Sequence, residues 1–225
     1  AHDPRIANAI PLSGFDDVQP TYQMIKAISH AVPDIKFNKL DTVVISPDEG
    51  GMSRCMYYSS VLQLDLGMFY KRRDYSRVVD GKNPIVAHEY LGRDVDGKDV
   101  IIIDDMIASG ESIIDVATKI KNMGARRIFV FSSFGLFVKG LEVFDKAYEA
   151  GIIDKIFTTN LVYRNPSLAD REWHWEVDMS KYVSLLIDTL NHDETISHLL
   201  NPVTKIQNLI DRMGNKYRYL CKNNG

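Results

Sequence analysis

Two cysteines in 225 residues, Cys55 and Cys221, are too few and too far apart for a disulfide framework, and no CxxC pair or Cys/His cluster offers a zinc site. Long apolar runs are also missing. No stretch approaches the ~20 residues of a membrane span, so neither a membrane anchor nor a membrane partner is expected. Positive charge is not in excess: Lys and Arg number 27 against 30 Asp and Glu, for a net charge of −3. Apart from Lys71, Arg72 and Arg73 the basic residues are scattered, which leaves no electrostatic footprint for nucleic acid. There are no internal repeats, no low-complexity segments, no GK[ST] phosphate loop and no GxGxxG dinucleotide fingerprint. What is present is a chain with 45% apolar content, enough for one α/β domain with extensions. The cysteine usage suits a reduced, cytoplasmic compartment.

The most informative stretch is VIIIDDMIASGESIIDVATKIKNMG, from Val100 to Gly124. Val100 to Ile103 is a β-branched run without polar alternation, as in a central parallel strand covered on both faces. Asp104 and Asp105 are then expected at its carboxyl end, where open α/β sheets place their ligands. From Ile113 onward apolar residues recur at helical spacing through Ile114, Ala117 and Ile120. Ser109, Gly110, Glu111 and Ser112 therefore form a helix entrance, with unpartnered backbone N–H groups and the positive end of the macrodipole. Two carboxylates beside such an anion site suit a phosphorylated sugar: the loop holds phosphate and the carboxylates accept hydrogen bonds from vicinal hydroxyls. The plainer reading is a βα turn whose Asp and Ser residues cap the helix, but a cap needs one such residue, not five polar positions.

The rest of the chain alternates strands and helices. Thr42 to Ser46 reads as a buried strand, Gly51 to Leu64 as the helix after it, and Met68 to Tyr70 as a short strand ending in KRR. Pro84 to His88, Ile128 to Phe131, Lys155 to Thr159 and Trp173 to Val177 are further strand candidates; Pro20 to Ala31, Lys139 to Ala150 and Met179 to Asn191 are helix candidates. The fold class implied is α/β, a mostly parallel sheet with helices on both faces. Val203, Ile206, Ile210 and Met213 form one stripe of a tail helix whose mixed polar face marks a packing surface rather than a membrane anchor.

The Asp-Asp run and the small-residue loop resemble the ribose-phosphate loop of the phosphoribosyltransferase fold. Ala108 stands where many members of that fold have an acidic residue, and Glu111 where a small residue is usual. A carboxylate ~4 Å from a phosphate charge costs about 1 kcal/mol in water and about 4 at a protein surface, so Glu111 is expected to point away from the ligand. Further segments, HDPR from His2, GFDDVQPTY, SPDEGGMSR from Ser46 to Arg54, KRRDYSR from Lys71, NPIVAH, GKDVIIIDDM, GARRIFV and TTN, follow the order seen in ribose-phosphate pyrophosphokinases. That resemblance runs from His2 to about Leu200. It implies transfer of the pyrophosphoryl group of ATP to the 1-hydroxyl of ribose 5-phosphate, giving phosphoribosyl pyrophosphate (PRPP) and AMP with Mg²⁺.

Residue by residue, the resemblance implies that His2 and Asp48 hold Mg²⁺, His2 also meeting the nucleotide. Lys71 and Arg73 contact the transition state from a basic loop, while Asp104, Asp105 and the run Ala108, Ser109, Gly110, Glu111 and Ser112 bind ribose 5-phosphate. Gly50, Gly51, Ser53 and Arg54 are candidates for a second phosphate cradle, and Thr158, Thr159 and Asn160 for a pocket floor, although turn and strand caps explain them nearly as well. The family carries an amino-terminal domain with an adenine-gripping segment, of which nothing is recognised here, and the opening HDPRIANAIPL reads as the interior of a longer protein. The expected organisation is residues 1–15 as a remnant of that domain, 16–200 as the catalytic domain and 201–225 as a helical tail, with a homo-oligomer in the full-length form. Two other readings stand beside this one: a transferase that consumes PRPP to make a nucleotide, and a non-catalytic regulatory homologue of the same fold.

Overall fold

Uninterrupted apolar runs give this chain strands whose two faces are both covered, and amphipathic stretches between them give the helices that do the covering. The computed structural model describes residues 4–10, 12, 14–73 and 85–223. In chain order the main elements are α1 (Thr21–Ala31), β1 (Thr42–Ser46), α2 (Met52–Leu62), β2 (Asp65–Arg73), β3 (Ile85–Leu91), β4 (Asp99–Ile107), α3 (Glu111–Asn122), β5 (Arg127–Gly135), α4 (Glu142–Glu149), β6 (Lys155–Thr159), β7 (His174–Val177), α5 (Ser180–Asn191), α6 (Ser197–Leu200) and α7 (Val203–Asn223). The strands form one sheet in the order β3-β2-β1-β4-β5-β6-β7. All neighbours run parallel except the β2–β3 pair at one edge. The order reverses direction at β1 and β4, so ligand-binding loops belong at the carboxyl ends of those two strands.

Alternate residues of the central strands serve different layers. Val43, Ile45, Val100, Ile102, Ile128 and Val130 meet Ile113, Val116, Ala117 and Ile120 of α3 and Phe144 and Ala147 of α4. Val44, Ile101, Ile103, Phe129 and Phe131 face the other way, against Met24, Ile25 and Ile28 of α1, Cys55, Tyr58 and Leu62 of α2, and Ile206 of α7. The expected tail stripe is thus partly core: Ile206 is fully buried, and Ile210 and Met213 pack beside it. Among the described residues no helix is long and apolar enough to cross a membrane.

Strands β4 and β2 outrun their apolar runs. β4 extends over nine residues, so Asp104 and Asp105 lie inside the strand rather than beyond its end. The reason is backbone pairing: β1 accompanies β4 only as far as Ile45 opposite Ile102, whereas β5 continues to Gly135 opposite Ile107. The carboxylates therefore stand past the end of β1 on a strand still held from its other side. β2 likewise runs through Lys71, Arg72 and Arg73, which pair antiparallel with His88, Ala87 and Ile85 of β3. A hairpin occupies this edge where the alternation suggested another parallel strand. α4 starts later than expected, at Glu142, because the chain before it is tied to the ribose-type loop: Leu136 N–H donates to Ile107 O at 2.9 Å and Val138 N–H to Ala108 O at 2.9 Å.

At the opposite end of β4, Asp99 is fully buried. Its two oxygens accept from Arg126 Nε and Nη2 at 2.9 and 2.7 Å and from Arg127 Nε and Nη2 at 3.0 and 2.7 Å. Burial raises the Asp99 pKa, but the hydrogen bonds from Arg127 and Arg126 outweigh it and hold the carboxyl below its ordinary value. Arg127 also reaches Asp34 at 2.9 Å and lies over the Phe129 ring. This cluster ties the first residues of β4 and β5 to the segment after α1.

Candidate functional site

The carboxyl ends of β1 and β4 bring three acidic residues and one arginine to the same edge. Asp48 follows β1 and turns back on its own loop, its Oδ1 accepting from Gly51 N–H at 3.0 Å. Gly51 must be small: a Cβ there would stand 2.9 Å from Ser46 Oγ and 3.6 Å from Ile103 O. That close approach brings the first turn of α2 over β4. Arg54, in that turn, then places Nη2 3.5 Å from Asp105 Oδ2, with both side chains largely buried. The expected second phosphate cradle is thus partly redirected, since its arginine faces a carboxylate.

Asp104 and Asp105 are coupled to each other as well. Asp105 N–H donates to Asp104 Oδ1 at 2.8 Å. Burial pushes the Asp104 carboxyl up to about 7, and the neighbouring Asp105 carboxyl and the charge of Asp48 add to the rise. Among the described side chains, three carboxyls, Asp48, Asp104 and Asp105, thus gather at this edge with one arginine, Arg54. A carboxyl whose pKa is raised at the carboxyl edge of a parallel sheet marks a candidate functional site with a physical cause.

The loop after β4 turns sharply into α3. Gly110 adopts φ +83°, and a Cβ there would run into the Phe144 ring, so both backbone conformation and space demand glycine. Gly110, at the N-cap, has no side chain to cap the helix, and Ser109 Oγ accepts from Glu111 N–H at 3.4 Å. One long side-chain cap is thus present, and an anion is the natural partner for the other helix-opening amides. Glu111 turns outward, its Oε1 accepting from Lys139 Nζ at 2.8 Å on the exposed surface. Ala108 and Ser112 are exposed and Ser109 half-buried, so the loop is open to a ligand.

The other sequence candidates fall into three groups. Thr158, Thr159 and Asn160 close β6 but are engaged within the fold: Thr158 Oγ1 lies 2.9 Å from His174 Nε2, Thr159 Oγ1 donates to Ser133 O, and Asn160 Nδ2 donates to Asp178 Oδ1. Lys71 and Arg73 sit near the end of β2, beside β1, where the backbone path is described and the side chains lie outside the described residues. His2 also lies outside the described residues. Sequence reasoning did not anticipate Cys55, whose Sγ donates to Ile103 O at 3.4 Å and anchors α2 on β4. The only signal available was an apolar-type residue at helical spacing.

Among the described residues no three His, Cys, Asp or Glu side chains converge on one metal position. What Asp48, Asp104 and Asp105 offer is a group of carboxyl oxygens at one edge of the sheet. That donor set fits a hard cation held chiefly by substrate phosphates and water, the coordination magnesium favours.

Comparisons with known proteins bear on the family and the fold. A family model described as "Phosphoribosyl transferase domain" matches residues 15–143. The ribose-phosphate pyrophosphokinase of Mycoplasmopsis pulmonis is 26% identical over 199 residues, covering 88% of this chain and 57% of that protein. The one from Mycoplasma pneumoniae is 34% identical over 125 residues, covering 55% of this chain and 36% of that one. In the crystal structure of phosphoribosylpyrophosphate synthetase from Mycobacterium smegmatis the same fold recurs, with a TM-score of 0.66 at 20% identity over 85% of this chain and 57% of that chain. The chain spans about half the length of the curated relatives it matches.

Proposed function

Because this chain belongs to the phosphoribosyl transferase domain family, we propose that its β4–α3 edge binds ribose 5-phosphate and serves pyrophosphoryl transfer from ATP to the sugar's 1-hydroxyl. The observation that carries the reading is the juxtaposition of the Asp104–Asp105 pair with a helix entrance whose turn demands glycine at Gly110. The phosphate takes the amides and hydroxyls of Ser109 to Ser112, and the carboxyls take the sugar diol. Fixing both ends of the acceptor orients its 1-hydroxyl, and such positioning can lower a barrier by ~7 to 11 kcal/mol. The names of the relatives favour ATP as the second substrate.

In the proposed step a bond forms between the 1-oxygen and the β-phosphorus of ATP while the bond from that phosphorus to the α,β-bridging oxygen breaks, releasing AMP, and the 1-hydroxyl proton passes to solvent. Lys71 and Arg73 are assigned to the charge that shifts onto the phosphoryl oxygens, which is where catalysis of such transfers mostly lies. Asp48, with His2, would hold Mg²⁺, whose chemistry is to neutralise ATP phosphates. The full-length protein is proposed to be a cytoplasmic homo-oligomer.

An assay of the full-length form with ATP, Mg²⁺ and ribose 5-phosphate tests the reading, the 225-residue chain alone being expected to bind ribose 5-phosphate without appreciable turnover. The expected result is AMP release that depends on ribose 5-phosphate. Lys71→Ala and Arg73→Ala should each lower kcat by about 10²-fold or more with little change in KM. Pyrophosphate release from PRPP in the presence of a free base, without ATP use, would instead identify a PRPP-consuming transferase.

A further inference from the structure

Arg54 is turned toward the sugar side of the site, not toward a phosphate cradle. Its Nη2 stands 3.5 Å from Asp105 Oδ2, with the Arg54 side chain 20% and the Asp105 side chain 13% exposed. The helix that carries it is seated by close contacts on both central strands: Cys55 Sγ reaches Ile103 O at 3.4 Å and Ile45 O at 3.8 Å, and Gly51 admits no side chain against Ser46. Asp104 is meanwhile fixed through the Asp105 N–H. We propose that Arg54 is a positioning residue for the diol: it holds the Asp105 carboxylate charged and sets its rotation, so that the site selects a sugar phosphate over a phosphate without the sugar.

The physical basis is geometric. A planar guanidinium fixes the direction of a carboxylate in a way that a flexible ammonium does not. Within a largely buried pair, removal of Arg54 takes one positive charge from beside Asp105 while Asp104 stays next to it, which favours a shared proton between the two carboxyls. A carboxyl that has taken up that proton, or rotated away from the other, no longer accepts from the hydroxyl it faces.

This inference rests on the ribose 5-phosphate reading above, and its test separates the two. Calorimetric titrations of the 225-residue chain with ribose 5-phosphate and with inorganic phosphate are compared for the unaltered chain, Arg54→Met and Arg54→Lys. Arg54→Met should weaken ribose 5-phosphate about tenfold, as expected for one charged hydrogen bond, and leave inorganic phosphate unchanged within about twofold. Arg54→Lys should recover part of the loss. In an Asp105→Asn background, Arg54→Met should add less than about twofold, because the two residues act as one unit. Equal loss of both ligands, no loss of either, or losses that multiply in the double variant would each overturn the inference. An unaltered chain that binds phosphate but not ribose 5-phosphate would overturn the functional reading itself.

Discussion

The two ends of β4 carry the same residue type in opposite states. At the amino end Asp99 is enclosed by two guanidinium groups, every oxygen is satisfied, and its pKa is held down. At the carboxyl end Asp104 faces Asp105 and Asp48, with one arginine engaged by Asp105, and its pKa is pushed up to about 7. The first arrangement is a closed ion cluster, whose job is to fix the fold. The second gathers three carboxyls with a single arginine among the described side chains, a grouping that hydroxyl donors or a cation would complete. Burial alone does not distinguish a structural from a functional carboxylate; the balance of charge around it does.

Breaking the closed end should cost the most. Arg126→Met together with Arg127→Met strands a buried Asp99, and about 3–5 kcal/mol of stability should be lost, read by urea unfolding. Ribose 5-phosphate affinity of the fraction still folded should be unaltered. At the open end, Gly110→Ala meets both a positive φ and the Phe144 ring, for a loss of about 2–4 kcal/mol. Unlike the arginine pair, it should weaken ribose 5-phosphate binding as well, since it reshapes the loop to which the phosphate is assigned.

The comparison also has a pH signature. Asp104 has a folded pKa near 7 against an ordinary value of 3.8, so between these the folded state binds more protons than the unfolded one. Its effect is therefore a loss of stability as pH rises through that window. Asp99 works in the other direction: its folded pKa is lowered, so its contribution is present above the unfolded value and disappears as pH falls below it. Asp104→Asn should leave stability unchanged near pH 4 and raise it by about 1–3 kcal/mol at pH 8. Urea midpoints measured across that range, with an unchanged slope, would check it. A variant less stable than the parent at pH 8 would show that Asp104 is satisfied in the free protein.

Much of this was legible in the sequence. Thr42–Ser46 and Lys155–Thr159 were bounded correctly because the apolar run and the pairing end together. β4 was read too short because Asp104 to Ile107 are held by backbone bonds to β5, which side-chain polarity does not reveal. The turn into α3 could be located from Gly110 and its polar neighbours, since local backbone geometry dictates them. The Arg54–Asp105 and Asp99–Arg127 pairs could not: each joins separate elements whose approach depends on packing between them. KRR looked like the end of a strand, and pairing with β3 carried the strand through it.

The central claim is that the open end of β4 is a ribose 5-phosphate site. Titration of ribose 5-phosphate into the 225-residue chain and into its Asp104→Asn, Asp105→Asn double variant tests it most directly. Two hydrogen bonds to charged groups at ~1.5 to 3 kcal/mol each predict saturable binding to the parent chain and at least a tenfold loss in the variant, with inorganic phosphate still bound. Equal affinity for ribose 5-phosphate in both proteins would contradict the claim.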